Sequence, residues 1–380
     1  MRRHRAALAA QQRLSVAQRR VLSAIGLCRT AALGGHIDLC RRCELLWPAF
    51  NSCRNRHCPK CQALAQERWI AARAARLLPV PHFHVVFTLP SELRSLARYR
   101  PAEIYGALFA AASETLLELG TTRLKARLAV TLVLHTWSRE LRLHPHVHAI
   151  VTAGGLATDG SRWNACSDKY LMPVRMMGAL LRGKMMAALR TLQRAGSFDG
   201  FEALADPEGF ERLMSRLAAT SWLVYAKRPL REVSHVLAYL GRYTHRVAIA
   251  NSRLLDVTDR SVTFRTRHHD TATLSPVEFL RRFVQHVLPD GLRKIRHYGL
   301  YSATAARPAG ALALARSLLP ALPASGSTDG QRRSVAASWQ QRLRELTGRD
   351  VRLCPKCLGP LLHVRLRSSL PRAPPHRWAA

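Results

Sequence analysis

Apolar residues recur along the chain with two different periods, about 3.6 in some stretches and 2 in others, and their alternation outlines the fold. Residues 62–78 (QALAQERWIAARAARLL) have helical spacing and stop at Pro79 and Pro81, which cannot continue a helix. Residues 82–89 (HFHVVFTL) form a strand-type run closed by Pro90, and residues 101–119 return to helical spacing. Two strand-like runs, 128–137 and 143–152, flank the polar Ser138-Arg139-Glu140, which predicts a β-hairpin ended by Gly154-Gly155. Beyond it the pattern predicts helices at 173–195 and 207–219, a short strand at 222–227 and a helix at 231–243. Strand-like runs follow at 247–251 and 261–267, then a helix at 276–288. There is no internal repeat. Strands interleaved with helices around a central hairpin predict an α+β protein with a largely antiparallel sheet.

The flanks differ in character. Residues 1–27 are basic and helix-compatible, and residues 28–61 are rich in cysteine. Residues 306–334 are rich in Ala, Pro, Gly and Ser and read as a linker. A short helix carrying Trp339, Leu343 and Leu346 follows, then Cys354-Pro-Lys-Cys357 and a basic tail. The expected division is a module over 1–79, a central domain over 80–302, a linker over 303–335 and a C-terminal segment over 336–380.

Charge changes the picture from a generic domain to one with a polyanionic partner. The 380 residues include 59 Lys and Arg against 24 Asp and Glu, a net charge of +35, while 48% are hydrophobic, enough for a sizeable core. Phosphates release counterions when Lys and Arg replace them, so nucleic acid is the expected partner. Arg far outnumbers Lys, which suits bidentate phosphate contacts. The bland alternatives are a ribosome-like structural protein or a codon bias toward Arg. No apolar run approaches the roughly 20 residues needed to span a bilayer. The basic start MRRHRAALAAQQ lacks the apolar core of a signal peptide. Five of nine cysteines crowd into residues 40–61, which reads as metal binding in a reducing cytoplasm rather than a disulfide framework.

Cys40-x2-Cys43 and Cys58-Pro-Lys-Cys61 are two knuckles separated by 14 residues. Two thiolates on one tight turn face one ion, and two such turns complete a tetrahedron, so these four are the expected ligands of a structural Zn²⁺. Cys53 and His57 are reserve ligands: either could replace a knuckle cysteine, or join Cys28 or His36 in a second site. Cys354 and Cys357, with His363 nearby, are either half of a second zinc site or a solvent-exposed turn without metal. Arg54, Arg56 and Lys60 fall at the rim of the module, and the two arginines are candidate DNA-phosphate contacts.

His144-Pro145-His146-Val147-His148 interrupts an apolar strand. Residues two apart in a strand share a face, so His146 and His148 point together while Val147 points into the core. If the hairpin turns at residues 139–142, His135 lies opposite His146 and supplies a third ligand for a divalent cation. Glu140 and, more distantly, His84 are alternatives, and ordinary surface histidines are the bland reading. Tyr239 and Tyr243 lie one turn apart on one helical face. An aromatic core stripe would have the same spacing. Arg242 and Arg246 flank the pair, however, and a phenol beside a cation and a phosphate is a competent nucleophile. Lys227 is a weaker candidate for activating it.

Together these residues resemble a known constellation. His146-Val147-His148 resembles the His-hydrophobic-His (HUH) motif of single-strand endonucleases, residues 82–90 resemble the first motif of rolling-circle initiators, and Tyr239 and Tyr243 match the paired tyrosines of the two-tyrosine branch. The segments NSCRNRHCPKCQ, LHTWSRELRLHPHVHAIVTAGGL, YLGRYTHRVAIANSRL and PVEFLRRFVQHVLPDGLRKIRHYG are similar to bacterial transposases of the insertion-sequence-ninety-one family, in consistent order from about residue 28 to 302. The resemblance implies a zinc-ribbon-like N-terminal module that binds DNA, then an HUH catalytic domain built on a five-stranded antiparallel sheet. It implies a transposase that nicks and rejoins single-stranded transposon DNA, end and target, through a 5′-phosphotyrosine. Mg²⁺ or Mn²⁺ would be held by the histidines, with Arg242 and Arg246 on phosphate. It implies a cytoplasmic, nucleoid-associated protein without a membrane partner. A plasmid replication initiator or relaxase of the same chemistry, and a non-catalytic zinc-ribbon nucleic-acid-binding protein, are the competing readings.

Overall fold

A computed structural model describes residues 3–74, 76–167, 171–204, 206–230, 235–236, 241, 247–267, 270–302, 310–319 and 338–367. Its contacts divide the chain into two units that do not follow sequence order. One gathers residues 1–72, 245–287 and 332–380, and the other 73–244 and 288–331. The C-terminal segment therefore groups with the N-terminal module, as do residues 245–287.

The second unit is built on an antiparallel sheet. Its strands are β3 (His82–Thr88), β4 (Ala126–Trp137), β5 (Leu143–Ala157), β7 (Val224–Leu230) and β11 (Ile295–Gly299), in the order β11-β4-β5-β3-β7, with β6 (Trp163–Ala165) paired to β5. The α+β class expected from the sequence is the observed one. Side-chain alternation decides what each face does. Phe83, Val85 and Phe87 of β3, Val130, Leu132 and Leu134 of β4, and Val147, Ala149 and Val151 of β5 share one face and one buried core. α5 (Pro101–Arg123) contributes Ile104, Leu108, Phe109, Ala112 and Leu116 to that core, and α6 (Val174–Arg194) contributes Met177, Leu181, Met185 and Leu189. The i, i+4 spacing on both helices gives each one apolar stripe. Pro101 opens α5 at its first turn, where a missing N–H costs nothing. The opposite face of the sheet is left to His84, Thr131, His135, His146, His148 and His297.

Two features correct the sequence reading. Gly154-Gly155 was expected to end the hairpin, but β5 continues through them to Ala157. Gly154 has φ +125°, and a Cβ there would meet the Asn164 carbonyl oxygen at 2.5 Å. The register shifts between Leu128 and Val130 at this point, so the glycines form a bulge that re-aims β5 toward β6. Thr152 closes the gap by accepting from Ala129 N–H and donating to the Gly154 carbonyl. The run 247–251 is likewise not a strand. Ala248 is left-handed at φ +63°, Ile249 N–H donates to the Val247 carbonyl, and a 3-10 turn begins at Asn251.

The first unit holds α2 (Val16–Leu27), β1 (Gly35–Cys40), β2 (Leu46–Phe50), β8 (Leu254–Val257), β9 (Val262–Arg265), β10 (Thr271–Leu274), α8 (Pro276–Val284), α10 (Trp339–Thr347) and β12 (Leu361–Leu366). Two small sheets form, β12-β1-β2 and β10-β9-β8. Ser275 caps α8 by accepting from Glu278 N–H, and Glu278 pairs with Arg281 and Arg282 one turn on. Among the described residues no helix is long and apolar enough to cross a membrane.

The entry to β3 is fixed by a closed hydrogen-bond chain. Leu78 N–H donates to the Tyr301 hydroxyl at 2.9 Å, that hydroxyl lies 2.9 Å from His82 Nε2, and His82 Nδ1 lies 2.8 Å from the Val80 carbonyl. Nδ1 must donate to the carbonyl, so Nε2 accepts from Tyr301, and the fully buried imidazole is neutral; burial lowers its pKa to about 4. Tyr301→Phe leaves two buried polar groups unmatched and should destabilise the protein by about 1–3 kcal/mol in denaturant unfolding. An unchanged midpoint would refute this account of the anchor.

Candidate functional site

The histidine site follows from the hairpin register. Ser138 N–H donates to the Arg142 carbonyl, and Ser138 Oγ accepts from the Glu140 and Arg142 N–H groups at 3.2 Å each. Leu141 in this turn is left-handed at φ +61°, and a one-residue register shift between His135 and Trp137 then sets His135 directly opposite His146. Ligand atoms of His135, His146 and His148 all lie within 4.8 Å of one another. Ring centroids are 5.4 Å apart for His135 and His146, 4.3 Å for His135 and His148, and 4.8 Å for His146 and His148. His135 and His148 are buried, and Trp137 stacks on His135 at 4.5 Å.

Neighbouring groups set the tautomers. His146 Nδ1 lies 2.7 Å from the His144 carbonyl, so it carries the proton and Nε2 keeps a lone pair. His148 Nδ1 lies 2.8 Å from Nε2 of His84 on β3. For His148 to offer Nε2 to an ion, its Nδ1–H must donate to His84, the orienting arrangement usual for metal-ligating histidines. His84 thus stands behind the cluster, its ring stacked 5.1 Å from that of His148. Burial pushes the pKa of His146 down to about 4, that of His148 to about 2 and that of His84 to about 4; Lys227, paired with His84 across β7, adds to the last shift. All three are neutral near pH 7, the form a cation requires. His135, His146 and His148, on two adjacent strands, therefore fit a divalent ion. Glu140 is instead exposed on the turn and paired with Arg142 at 3.1 Å. Tyr239, Tyr243, Arg242 and Arg246 lie outside the described residues.

The cysteines group differently from the expectation. Cys40 and Cys43 are not brought together with Cys58 and Cys61. One cluster is Cys28, Cys53, Cys58 and Cys61, and the other is Cys40, Cys43, Cys354 and Cys357. In the first, Sγ atoms are 3.7 Å apart for Cys53 and Cys61 and 3.6 Å apart for Cys28 and Cys58. Bonds of about 2.3 Å to a tetrahedral zinc imply S–S edges of about 3.8 Å, so this cluster fits one Zn²⁺. The Cys53, Cys58 and Cys61 thiols donate toward Cys28 and pull its pKa far down, while Cys53 and Cys58 are raised by the same contacts. Four sulfurs this close cannot all ionise without a cation among them. Of the two reserve ligands, Cys53 is in the cluster, whereas His57 turns to Asn55, its Nδ1 3.1 Å from Oδ1. Arg54 is exposed between cluster cysteines and Arg56 is half-buried. Cys28 escaped the sequence reading as a primary ligand because it has no CxxC partner.

The chain carries thiol clusters in one unit and a His-hydrophobic-His strand on the antiparallel sheet of the other, and the comparisons place it in the transposase class. Residues 129–308 match the family described as "Putative transposase", and residues 1–89 match the "Transposase zinc-binding domain". The chain is 42% identical over 378 residues to a protein of Sinorhizobium fredii named "Putative transposase y4qJ", covering 96% of this chain and 93% of that protein. It is 30% identical over 280 residues to the transposase for insertion sequence element IS801 of Pseudomonas savastanoi pv. phaseolicola, covering 72% of this chain and 67% of that protein. The chain belongs to this family, the insertion-sequence-ninety-one transposases. Among solved structures, the conjugative relaxase TrwC with oriT DNA aligns at a TM-score of 0.25 and 16% identity, over 43% of this chain and 70% of that one, a likeness too slight to carry weight.

The lowered histidine pKa values fix a pH dependence. The unfolded chain takes up protons near pH 6.5, while the folded chain resists until about pH 4 or below, so stability should decline as the pH falls from about 6.5 to 4. Urea unfolding at stepped pH checks this. The His84→Asn variant, with one such group removed and all cysteines intact, should show a shallower decline; an equal slope would contradict the assignment.

Proposed function

We propose that this transposase nicks and rejoins single-stranded transposon DNA by a rolling-circle route. Tyr239 or Tyr243 attacks a phosphodiester, the phenol loses its proton, and the products are a 5′-phosphotyrosine and a free 3′-OH. Attack by a 3′-OH of another strand reverses the step, so phosphodiester energy is conserved and no nucleotide cofactor is needed. His135, His146 and His148 would hold Mg²⁺ or Mn²⁺, which when bound supplies Lewis-acid polarisation of the scissile phosphate. His84 holds His148 in the ligating tautomer, and buried Val147 anchors the strand between its two histidines. Arg242 and Arg246 would steady the phosphate, and Arg54 and Arg56 would contact the DNA backbone from the zinc module. Action on DNA in the bacterial cytoplasm, at the nucleoid, accords with a net charge of +35.

The observation that carries this reading is the convergence of three histidines on one sheet face. A replication initiator or relaxase would use the same chemistry, but the family membership favours transposition. A non-catalytic DNA-binding protein would have no use for a buried, tautomer-fixed triad.

Incubating the protein with single-stranded oligonucleotides from the ends of its own element, with Mn²⁺, should give an adduct that survives denaturation. His146→Ala should lower cleavage at least 100-fold while single-strand binding stays within about 2-fold, because phosphate contacts come from arginine. Tyr239→Phe and Tyr243→Phe should act unequally, one blocking first cleavage and the other impairing strand transfer. Peptide mapping that places the adduct on neither tyrosine would overturn the mechanism.

A further inference from the structure

Cys354 and Cys357 lie far beyond residues 1–89 that match the zinc-binding domain, yet they complete a four-sulfur cluster with Cys40 and Cys43. The Cys40 and Cys357 Sγ atoms are 3.4 Å apart and those of Cys43 and Cys354 are 3.5 Å apart, across separations of 317 and 311 residues. These edges approach the roughly 3.8 Å of a tetrahedral ZnS₄ centre. Edges this short suit a single ion and leave no room for bridging sulfides. Cys40 and Cys354 are fully buried, and all four are free thiols.

The two contributing turns share one backbone design. Cys40 N–H donates to the Leu45 carbonyl at 3.0 Å, and Cys354 N–H donates to the Gly359 carbonyl at 2.8 Å, so each loop closes over five residues. The residue after the second cysteine is left-handed in both, Glu44 at φ +56° and Leu358 at φ +57°. Leaving that region would cost each loop its closing bond. Lys356 N–H points at the Cys354 sulfur at 3.4 Å. The Cys43 N–H hydrogen-bonds to the Cys40 sulfur and is the main reason that thiol's pKa falls to about 6. Such N–H···S bonds stabilise thiolates. The strands leaving the two turns then pair: β1 and β12 run antiparallel from Gly35↔Leu366 to Cys40↔Leu361. Asp38 accepts from His363 Nδ1 at 2.6 Å across that pair.

We propose that Cys40, Cys43, Cys354 and Cys357 bind a second zinc ion, and that this ion makes the C-terminal segment a structural part of the N-terminal zinc module. The chain leaves that module, builds the catalytic unit and returns to be closed by metal. The second four-sulfur centre thus forms only once Cys354 and Cys357 have been made.

Metal analysis of the full chain and of a Cys354→Ser/Cys357→Ser variant tests this. The variant should contain one equivalent of zinc less than the parent, and the amides of residues 361–366 should lose hydrogen-exchange protection. In the parent, a zinc chelator should release the same protection, a measurement that does not depend on the variant folding. A Cys354→His/Cys357→His variant should regain the lost equivalent, since imidazole also ligates zinc. Equal zinc in parent and serine variant, or protection at 361–366 that withstands complete zinc removal, would overturn the proposal.

Discussion

Because side chains alternate strictly along a strand, a slip of one residue between β4 and β5 would exchange the two faces of the strand that slips. If β5 slipped, Val147 and Ala149 would turn toward the histidine side, and His146 and His148 would face α5 and α6 while His135 stayed in place. The register is therefore specified twice. It is specified once by the Ser138–Arg142 turn and once by the cost of burying imidazoles where phenylalanine and leucine now pack. A one-residue register shift between His135 and Trp137 completes the alignment of the histidine cluster, so strand pairing that stabilises the fold also sets the histidine geometry. The Gly154-Gly155 bulge begins eight residues beyond His146. It alters the twist of β5 without disturbing the pairing near the histidines.

Thiol chemistry imposes a different constraint. A CxxC turn states that two sulfurs face one point, but not which other turn faces the same point. Cys40/Cys43 and Cys58/Cys61 are adjacent in sequence and look like partners. β1 and β2 form a hairpin whose tip carries Cys40 and Cys43 toward the end of β12, whereas Cys58 and Cys61 fold back on Cys53 and Cys28. Topology, not spacing, decides the pairing, and the deciding strand lies more than 300 residues away in the chain.

The legible parts of the sequence were those where one period runs long enough to dominate. α5, α6 and α7 (Pro207–Ala219) and strands β3, β4 and β5 fall where the apolar pattern places them, and the opposition of His135 to His146 follows from counting back from a polar turn. The rest was hidden for identifiable reasons. β1, β2, β8, β10, β11 and β12 are four to six residues long and carry charges, prolines or histidines, such as Pro48 in β2 and Arg296 and His297 in β11. Two periods of alternation in such a stretch are indistinguishable from a loop. The run 247–251 shows the converse: Val247, Ala248 and Ile249 are buried, but in a turn, so apolar content alone misled. His84 was ranked low as a ligand because β3 is remote in sequence. Its place beside His148 comes from the β3–β5 pairing, which no local pattern encodes.

The strongly cationic chain and the neutral histidine face answer one problem. A phosphodiester is attracted by arginine at long range, but an arginine within the histidine cluster would repel the divalent ion proposed for it. The sheet separates the two functions by burial. Desolvation holds His146 and His148 uncharged far below neutral pH, and the orienting contacts from the His144 carbonyl and His84 leave ring nitrogens with lone pairs rather than protons. Lys227, paired with His84 and not with the ligands, depresses the orienting imidazole's pKa and so helps keep the second layer neutral as well. A cation entering this face would meet lone pairs on His146 and His148, with Lys227 and Lys294 the charges that act on the histidines from nearby. In the proposed reading it would add a divalent charge where a phosphate oxygen could reach it.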